Sequence, residues 1–182
     1  MKNIYLIRHC KAEGQEPNAK LTPLGQEQAI QLANALGAIP LEVVVSSPFT
    51  RTIQTIQPLC DRLGLAFVTD HRLEERVLSA HQLDNWMELL KQTYEDMDMV
   101  LDGGESSREA MSRGVAVIQE LIEGPHHHAA VVTHGALLSL ILRHFDPSVG
   151  FEEWRALTNP DVYVLRYRPG DVKLIRLWQE QS

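Results

Sequence analysis

Ile4-Tyr5-Leu6-Ile7-Arg8-His9 opens the 182-residue chain with four consecutive apolar residues followed at once by a cation and an imidazole. A strand that buries one face alternates apolar with polar side chains; an unbroken apolar run of this length is the pattern of a strand covered on both faces, as in a parallel sheet. Val43-Val44-Val45 and Ala130-Val131-Val132 repeat the pattern, and Phe67-Val68 suggests a further short strand.

Amphipathic stretches lie between these runs. Thr22-Pro23 has the form of an N-cap and first helical residue, and Ala29, Leu32, Ala33 and Leu36 continue at helical spacing to Gly37. Ser47-Pro48 repeats the signal, with Phe49, Thr52, Ile53, Ile56, Leu59, Cys60 and Leu63 on one face before Gly64. From Ser79 to about Met97 a stripe of Leu83, Trp86, Met87, Leu90, Tyr94 and Met97 predicts a helix with no strand directly before it, hence a small helical lobe inserted at about 71–104. The Trp86, Leu90 and Tyr94 stripe reads as lobe packing, part of it available to line a substrate entrance. Ser106 and Glu109 form a capping-box pattern ahead of Met111, Val115, Ile118 and Ile122. Ala136 to Phe145 predicts a helix apolar on most sides, and Arg168-Pro169-Gly170-Asp171 a tight turn between strands at Asp161–Tyr167 and Val172–Leu177. The expected architecture is α/β, three-layer α/β/α with a mostly parallel sheet and the small helical insertion, in a single domain over 1–182.

Seventeen Lys and Arg against 24 Asp and Glu give a formal charge of -7, and no segment concentrates the cations, which argues against nucleic acid as a partner. Arg nonetheless outnumbers Lys by 12 to 5, and its planar fork grips phosphate or carboxylate with two bonds. The N-terminus lacks the apolar core of a secretory signal, the longest apolar run is too short to span a membrane, and there are two cysteines. A cytoplasmic protein without membrane contact is expected. Nothing in the pattern specifies an oligomeric state.

Ligands of open parallel sheets bind beyond the carboxyl ends of the strands. The residues there are Arg8 and His9 after the first run, Ser46 and Ser47 after the second with Arg51 in the following helix, and Thr133, His134 and Gly135 after the third. Two guanidinium forks and a helix N-terminus suit a phosphate group, and a neutral imidazole can attack phosphorus in line without a metal.

Leu6-Ile7-Arg8-His9, Leu21-Thr22-Pro23-Leu24-Gly25-Gln26-Glu27-Gln28-Ala29, Ser46-Ser47-Pro48 with Arg51-Thr52-Ile53-Gln54-Thr55, Gly104-Glu105-Ser106 and Val132-Thr133-His134-Gly135 together resemble the histidine phosphatase superfamily, the phosphoglycerate-mutase-like proteins. The resemblance spans residues 4 to 135. It implies hydrolysis of phosphomonoesters through a phosphohistidine on His9, with Arg8, Arg51 and His134 around the phosphoryl group. It further implies Glu75, in Leu73-Glu74-Glu75-Arg76, as proton donor and acceptor, with Glu74 as the substitute, and neither metal nor cofactor. The substrate would be a phosphorylated small molecule or a phosphoprotein. A mutase is the alternative, disfavoured because the chain ends about five residues past its last expected strand; a non-catalytic phosphate-binding module is the other.

That second alternative draws on the departures from the family pattern. Cys10 stands where Gly commonly follows the nucleophile, Ala12 replaces a frequent Thr, and Gln15 lies where an Asn often contacts ligand. Cys10 also mimics the start of a cysteine-phosphatase loop, but that chemistry needs an Arg six residues later, and Glu16 is there. A small packing residue is the expectation for Cys10. His126-His127-His128 reads as a solvated loop rather than a metal site, since neighbouring side chains on extended backbone point apart.

Overall fold

The computed structural model describes residues 1–180. Six strands, β1 (Lys2–Arg8), β2 (Val43–Ser46), β3 (Val68–Thr69), β4 (His128–Thr133), β5 (Asp161–Arg168) and β6 (Asp171–Gln179), form one sheet in the order β3-β2-β4-β1-β5-β6. The first four run parallel, while β5 is antiparallel to β1 and β6 to β5. The sheet is mixed and mostly parallel, as the unbroken apolar runs require.

Both faces are covered, and the two-residue period of a strand sorts the side chains between them. Ile4, Leu6, Ala129 and Val131 face a core shared with α4 (Ser107–Glu123) and α5 (Gly135–Phe145), including Ile118, Leu137 and Leu138. Ile7, Val44, Ala130 and Val132 face the opposite core, built from Leu32, Ala33 and Leu36 of α1 (Pro23–Leu36) and Ile56, Leu59 and Cys60 of α2 (Thr50–Leu63). α3 (Trp86–Glu95) and α6 (Phe151–Arg155) pack beside the first of these layers. Among the described residues no helix is long and apolar enough to cross a membrane.

Three local expectations change. α1 begins at Pro23 with Thr22 Oγ1 accepting the Gly25 N–H, as expected, but α2 begins at Thr50 rather than at Pro48. Its cap position is Phe49, whose side chain has no polar atom to cap with, and the Ser47 hydroxyl, besides meeting His134, accepts the Phe49 amide at 3.3 Å, short of the helix. The helix expected from Ser79 to about Met97 forms only over Trp86–Glu95. Ser79 and Ala80 instead bond the Asp102 carbonyl, pairing this stretch with the 102 loop in place of a first helical turn. α6 was not expected, its five residues being too few for a periodic signal.

Candidate active site

β1 and β4 are adjacent and parallel, in a register that opposes Arg8 to Thr133. The next residue of each strand is a histidine, so pairing alone delivers His9 and His134 to one point on the sheet edge. The His9 amide continues the ladder to the Thr133 carbonyl at 3.1 Å, and the two rings meet edge to face with centroids 5.2 Å apart. β2 pairs with β4 on the other side, which brings Ser47 to the same edge; its Oγ lies 2.8 Å from His134 Nε2.

The tautomer of His9 follows from its two partners. Nδ1 lies 2.7 Å from the Cys10 carbonyl, which can only accept, and Nε2 lies 3.3 Å from Arg51 Nε, which can only donate. Nδ1 therefore carries the proton and Nε2 the lone pair. Burial pushes the His9 imidazole down to about 3; the Cys10 carbonyl works against this, and Arg8 and Arg51 reinforce it. Burial, then His9, Arg51, Arg8 and Arg113, hold His134 well below its ordinary value as well. Both rings are neutral near pH 7, and His134 Nδ1 has no partner among the described residues.

Arg51 is 1% exposed, its Nη1 donating to the carbonyls of Gln15 at 3.2 Å and Glu16 at 2.9 Å. Arg8 Nη1 reaches the carbonyls of Leu157 and Thr158, and its Nε is unpartnered. A Cβ at position 135 would stand 2.9 Å from the Arg8 guanidinium, so only glycine at the start of α5 lets that fork lie across the helix end. Burial lowers the pKa of both guanidiniums while the nearby Glu75 charge raises it, which locates all three groups in one electrostatic cluster.

Glu75 turns toward that cluster and Glu74 turns away. Glu75 Oε1 accepts from the Arg76 and Leu137 amides at 2.8 and 2.9 Å, and Oε2 from the Ala136 amide at 3.1 Å, which seats the carboxylate on the N-terminus of α5. Glu74 pairs at 3.2 Å with His71, an exposed residue. A cavity of about 540 Å³ is lined by Arg8, Gln15, Glu75 and Arg76 on its polar side and by Leu78, Trp86, Leu90, Ala136 and Trp154 on the other. A second, of about 410 Å³, touches Glu75 together with Glu74, Glu105 and Arg113. His9 and His134 line neither; both are buried.

The loop carrying Glu75 is fastened by Arg113, which the sequence reading did not single out, together with Glu105 and Thr133 of the quoted motifs. Arg113 Nη1 donates to the carbonyls of Arg72 and Glu74 at 2.7 and 2.8 Å, and its Nη2 to that of Glu75 at 3.3 Å. Arg113 is itself held by both oxygens of Glu105, at 2.9 and 2.7 Å. Burial pushes the Glu105 carboxyl up, but the bonds from Arg113 and the Val77 amide outweigh it and hold it below the usual range. Thr133 Oγ1 pins the Leu73 carbonyl at 2.7 Å, and Asn159 Nδ2 donates to the His9 carbonyl at 2.9 Å. Thr158-Asn159-Pro160 precedes β5, whose antiparallel direction brings its start beside the end of β1, with Asp161 opposite Arg8.

Cys10 is fully buried beside Leu21 and Ala29, and burial pushes its thiol up to about 12, so it stays protonated and packs. The amides of His127 and His128 donate to Glu42 at 2.8 and 3.0 Å, and the expected loop is one residue shorter, since His128 pairs with Asn3 as the first residue of β4.

The residue pattern of the histidine phosphatase superfamily (branch 1) matches residues 4–180. The chain belongs to that superfamily. It is 27% identical over 158 residues, 78% of this chain and 77% of the other, to "Putative phosphoserine phosphatase 2" of Hydrogenobacter thermophilus. It is 26% identical over 160 residues to "Probable phosphoglycerate mutase GpmB" of Salmonella paratyphi A, covering 78% and 74% of the two chains. Its fold superimposes on a mycobacterial glucosyl-3-phosphoglycerate phosphatase with a TM-score of 0.77 and 23% identity, over 99% of each chain. The superfamily match thus extends the resemblance read over residues 4–135 to the antiparallel end of the sheet.

Proposed function

We propose that the protein is a metal-independent phosphomonoesterase that works through a phosphohistidine on His9. The observation that carries this reading is the neutral His9, its Nε2 lone pair fixed by the Cys10 carbonyl and covered by the Arg51 guanidinium.

The phosphoryl group enters between His9 Nε2 and the two arginines. Arg51 exchanges its bond to Nε2 for a bond to a phosphoryl oxygen, and Arg8 supplies its unpartnered Nε. In the first step the N–P bond forms as the P–O bond to the leaving group breaks. The positive charge developing on the imidazole is balanced by the phosphoryl group it has gained, and His134 hydrogen-bonds an equatorial oxygen. Glu75 protonates the departing oxygen. Its Oε1 already accepts two N–H bonds and its Oε2 one, so Oε2 is the atom with a free lone pair for that proton. In the second step Glu75, now ionised, takes a proton from a water that attacks phosphorus; the N–P bond breaks, phosphate leaves and His9 returns neutral. Positioned proton transfer is worth about 10² to 10⁴ in rate, so the remainder of the acceleration falls to positioning and to the arginine and histidine cage.

A substrate trap tests the reading. Acid-free quenching of enzyme mixed with a phosphomonoester yields a phosphoenzyme that survives alkali and is lost in acid, and His9→Ala abolishes both it and turnover while the fold persists. An alkali-labile ester, or an active His9→Ala protein, overturns it. The mutase reading, favoured by the similarity to the Salmonella relative, predicts fast interconversion of phosphoglycerates without release of phosphate.

A further inference from the structure

The cavity beside Glu75 is two-sided, and on its apolar side the core takes up Leu78, Leu90 and Trp154 but leaves Trp86 out. Trp86, at the first position of α3, is 46% exposed and stands edge to face with Trp154 of α6, centroids 6.3 Å apart at 89°. Trp154 in turn stacks on Phe151 at 5.5 Å, and Phe151 meets the buried Tyr94, whose hydroxyl bonds Ser139 of α5. A row of aromatic rings anchored to the core at one end therefore holds an uncovered indole at the other, facing the cleft that Arg8 and Glu75 line.

The polar side shows what the cleft does not bind. A short acid such as phosphoglycerate needs a second fork for its carboxylate. Arg76 is the one guanidinium beside Arg8 on the cleft, and it is buried, its Nη1 donating to Thr93 and Ser107, its Nη2 to the Glu105 carbonyl and its unpartnered Nε covered, so the fork is turned into the packing of α3 against α4 and not toward a ligand.

The geometry points to phosphomonoesters of alcohols that carry an aromatic ring, the ring lying against Trp86 and Trp154 while the phosphoryl group sits on Arg8. This rests on the phosphatase reading above and adds the substrate class. Aromatic rings meeting edge to face or offset gain attraction beyond the burial of their area, and about 540 Å³ accommodates a ring on a short linker.

The test compares 3-phenylpropyl phosphate with n-propyl phosphate, whose leaving alcohols have nearly the same intrinsic acidity, and with 3-phosphoglycerate. The expected kcat/KM is higher for the phenylpropyl ester by roughly tenfold or more, from burial of one ring. Trp86→Ala should bring that ratio to within about threefold of one and leave propyl phosphate turnover nearly unchanged, with Trp86→Phe restoring most of the preference. Equal turnover of the two esters, a preference unmoved by Trp86→Ala, or 3-phosphoglycerate as the best substrate overturns the inference while the phosphatase reading stands. Calorimetry with 3-phenylpropylphosphonate and n-propylphosphonate separates the two failures. If no ester turns over, tighter binding of the phenyl compound upholds the cleft assignment and sinks the phosphatase reading; equal binding sinks both.

Discussion

Arg51 donates its Nε–H to the lone pair of His9 Nε2 across 3.3 Å, so the nucleophilic atom of the proposed reaction is covered by a cation that must turn to the phosphoryl group for chemistry to begin. The Gln15 and Glu16 carbonyls hold Arg51 by Nη1, which fixes the direction of the fork. A lysine has the charge but cannot satisfy two carbonyls and a phosphoryl oxygen from one point. Arg51→Lys and Arg51→Ala are both expected to lower kcat/KM by roughly 10² to 10³, the loss typical when a preorganised donor to a developing anion is removed. Steady-state kinetics, with a melting curve to show the fold intact, checks this; near-wild-type activity in Arg51→Lys would remove fork geometry from the account.

Glu75 is predicted to matter in proportion to how badly the leaving group needs a proton. Glu75→Gln should cost about 10² to 10⁴ in the phosphorylation rate with an alkyl phosphate. The cost with p-nitrophenyl phosphate should be far smaller, because nitrophenolate departs unprotonated. Glu74→Gln, altering a side chain that pairs with exposed His71, should leave both rates within about threefold, as surface changes generally do. Single-turnover release of the alcohol or phenol, which reports the phosphorylation step alone, distinguishes these cases; equal losses on the two esters in that step would mean that Glu75 only shapes the loop.

Much of this site could be read from the strands, because a parallel pair sets its own register. Given three apolar runs stacked in one sheet, Arg8-His9, Ser46-Ser47 and Thr133-His134 had to emerge at the same edge, and burial on both faces explains why the runs do not alternate. Partners chosen by tertiary contact were not legible. Ser47 has the local signature of an N-cap and spends its hydroxyl on a histidine 87 residues away. Arg113 looks like any solvated cation in an amphipathic helix until the fold lays the 72–75 carbonyls against it. Asn159 was missed for a topological reason: the reading followed only the carboxyl ends of parallel strands, whereas β5 runs the other way and contributes its beginning. The position of Asn159 two residues ahead of an apolar strand was the signal available.

Arg113 and Glu105 should behave as a positioning pair. Each is mostly buried, with side chains 22% and 18% exposed, and together they tie α4 to the carbonyls of residues 72, 74 and 75. Removing one partner strands the other, so Arg113→Met and Glu105→Gln should each cost about 1–3 kcal/mol, and the double variant less than the sum. A loosened Glu75 loop should lower kcat/KM, which reports the steps through phosphorylation, on alkyl phosphates more than on p-nitrophenyl phosphate, which a merely structural role would not do. Urea titration with parallel kinetics on both esters is the measurement, and additive stability losses with uniform kinetic effects would contradict the pairing.

His9 and His134 also make a prediction about acid. Both are neutral in the folded protein, His9 down to about 3, whereas in the unfolded chain each takes a proton near the ordinary value of about 6.5. Between those values the unfolded state binds more protons, so stability is undiminished above pH 6.5 and falls as the pH drops toward 3. Each imidazole contributes a slope of up to about 1.4 kcal/mol per pH unit. For His9 alone, lowering the pH from 6.5 to 4.5 should remove about 2 kcal/mol. Carboxylates such as Glu105, held low in the fold, also lose stability in acid, but they are common to wild type and variant and cancel in the comparison. His9→Asn should therefore lose about 2 kcal/mol less than wild type over that interval, measured by urea denaturation at the two pH values. Parallel losses in the two proteins would mean that the His9 ring titrates in the folded state much as it does in water, and its readiness as a neutral nucleophile would lose its physical basis.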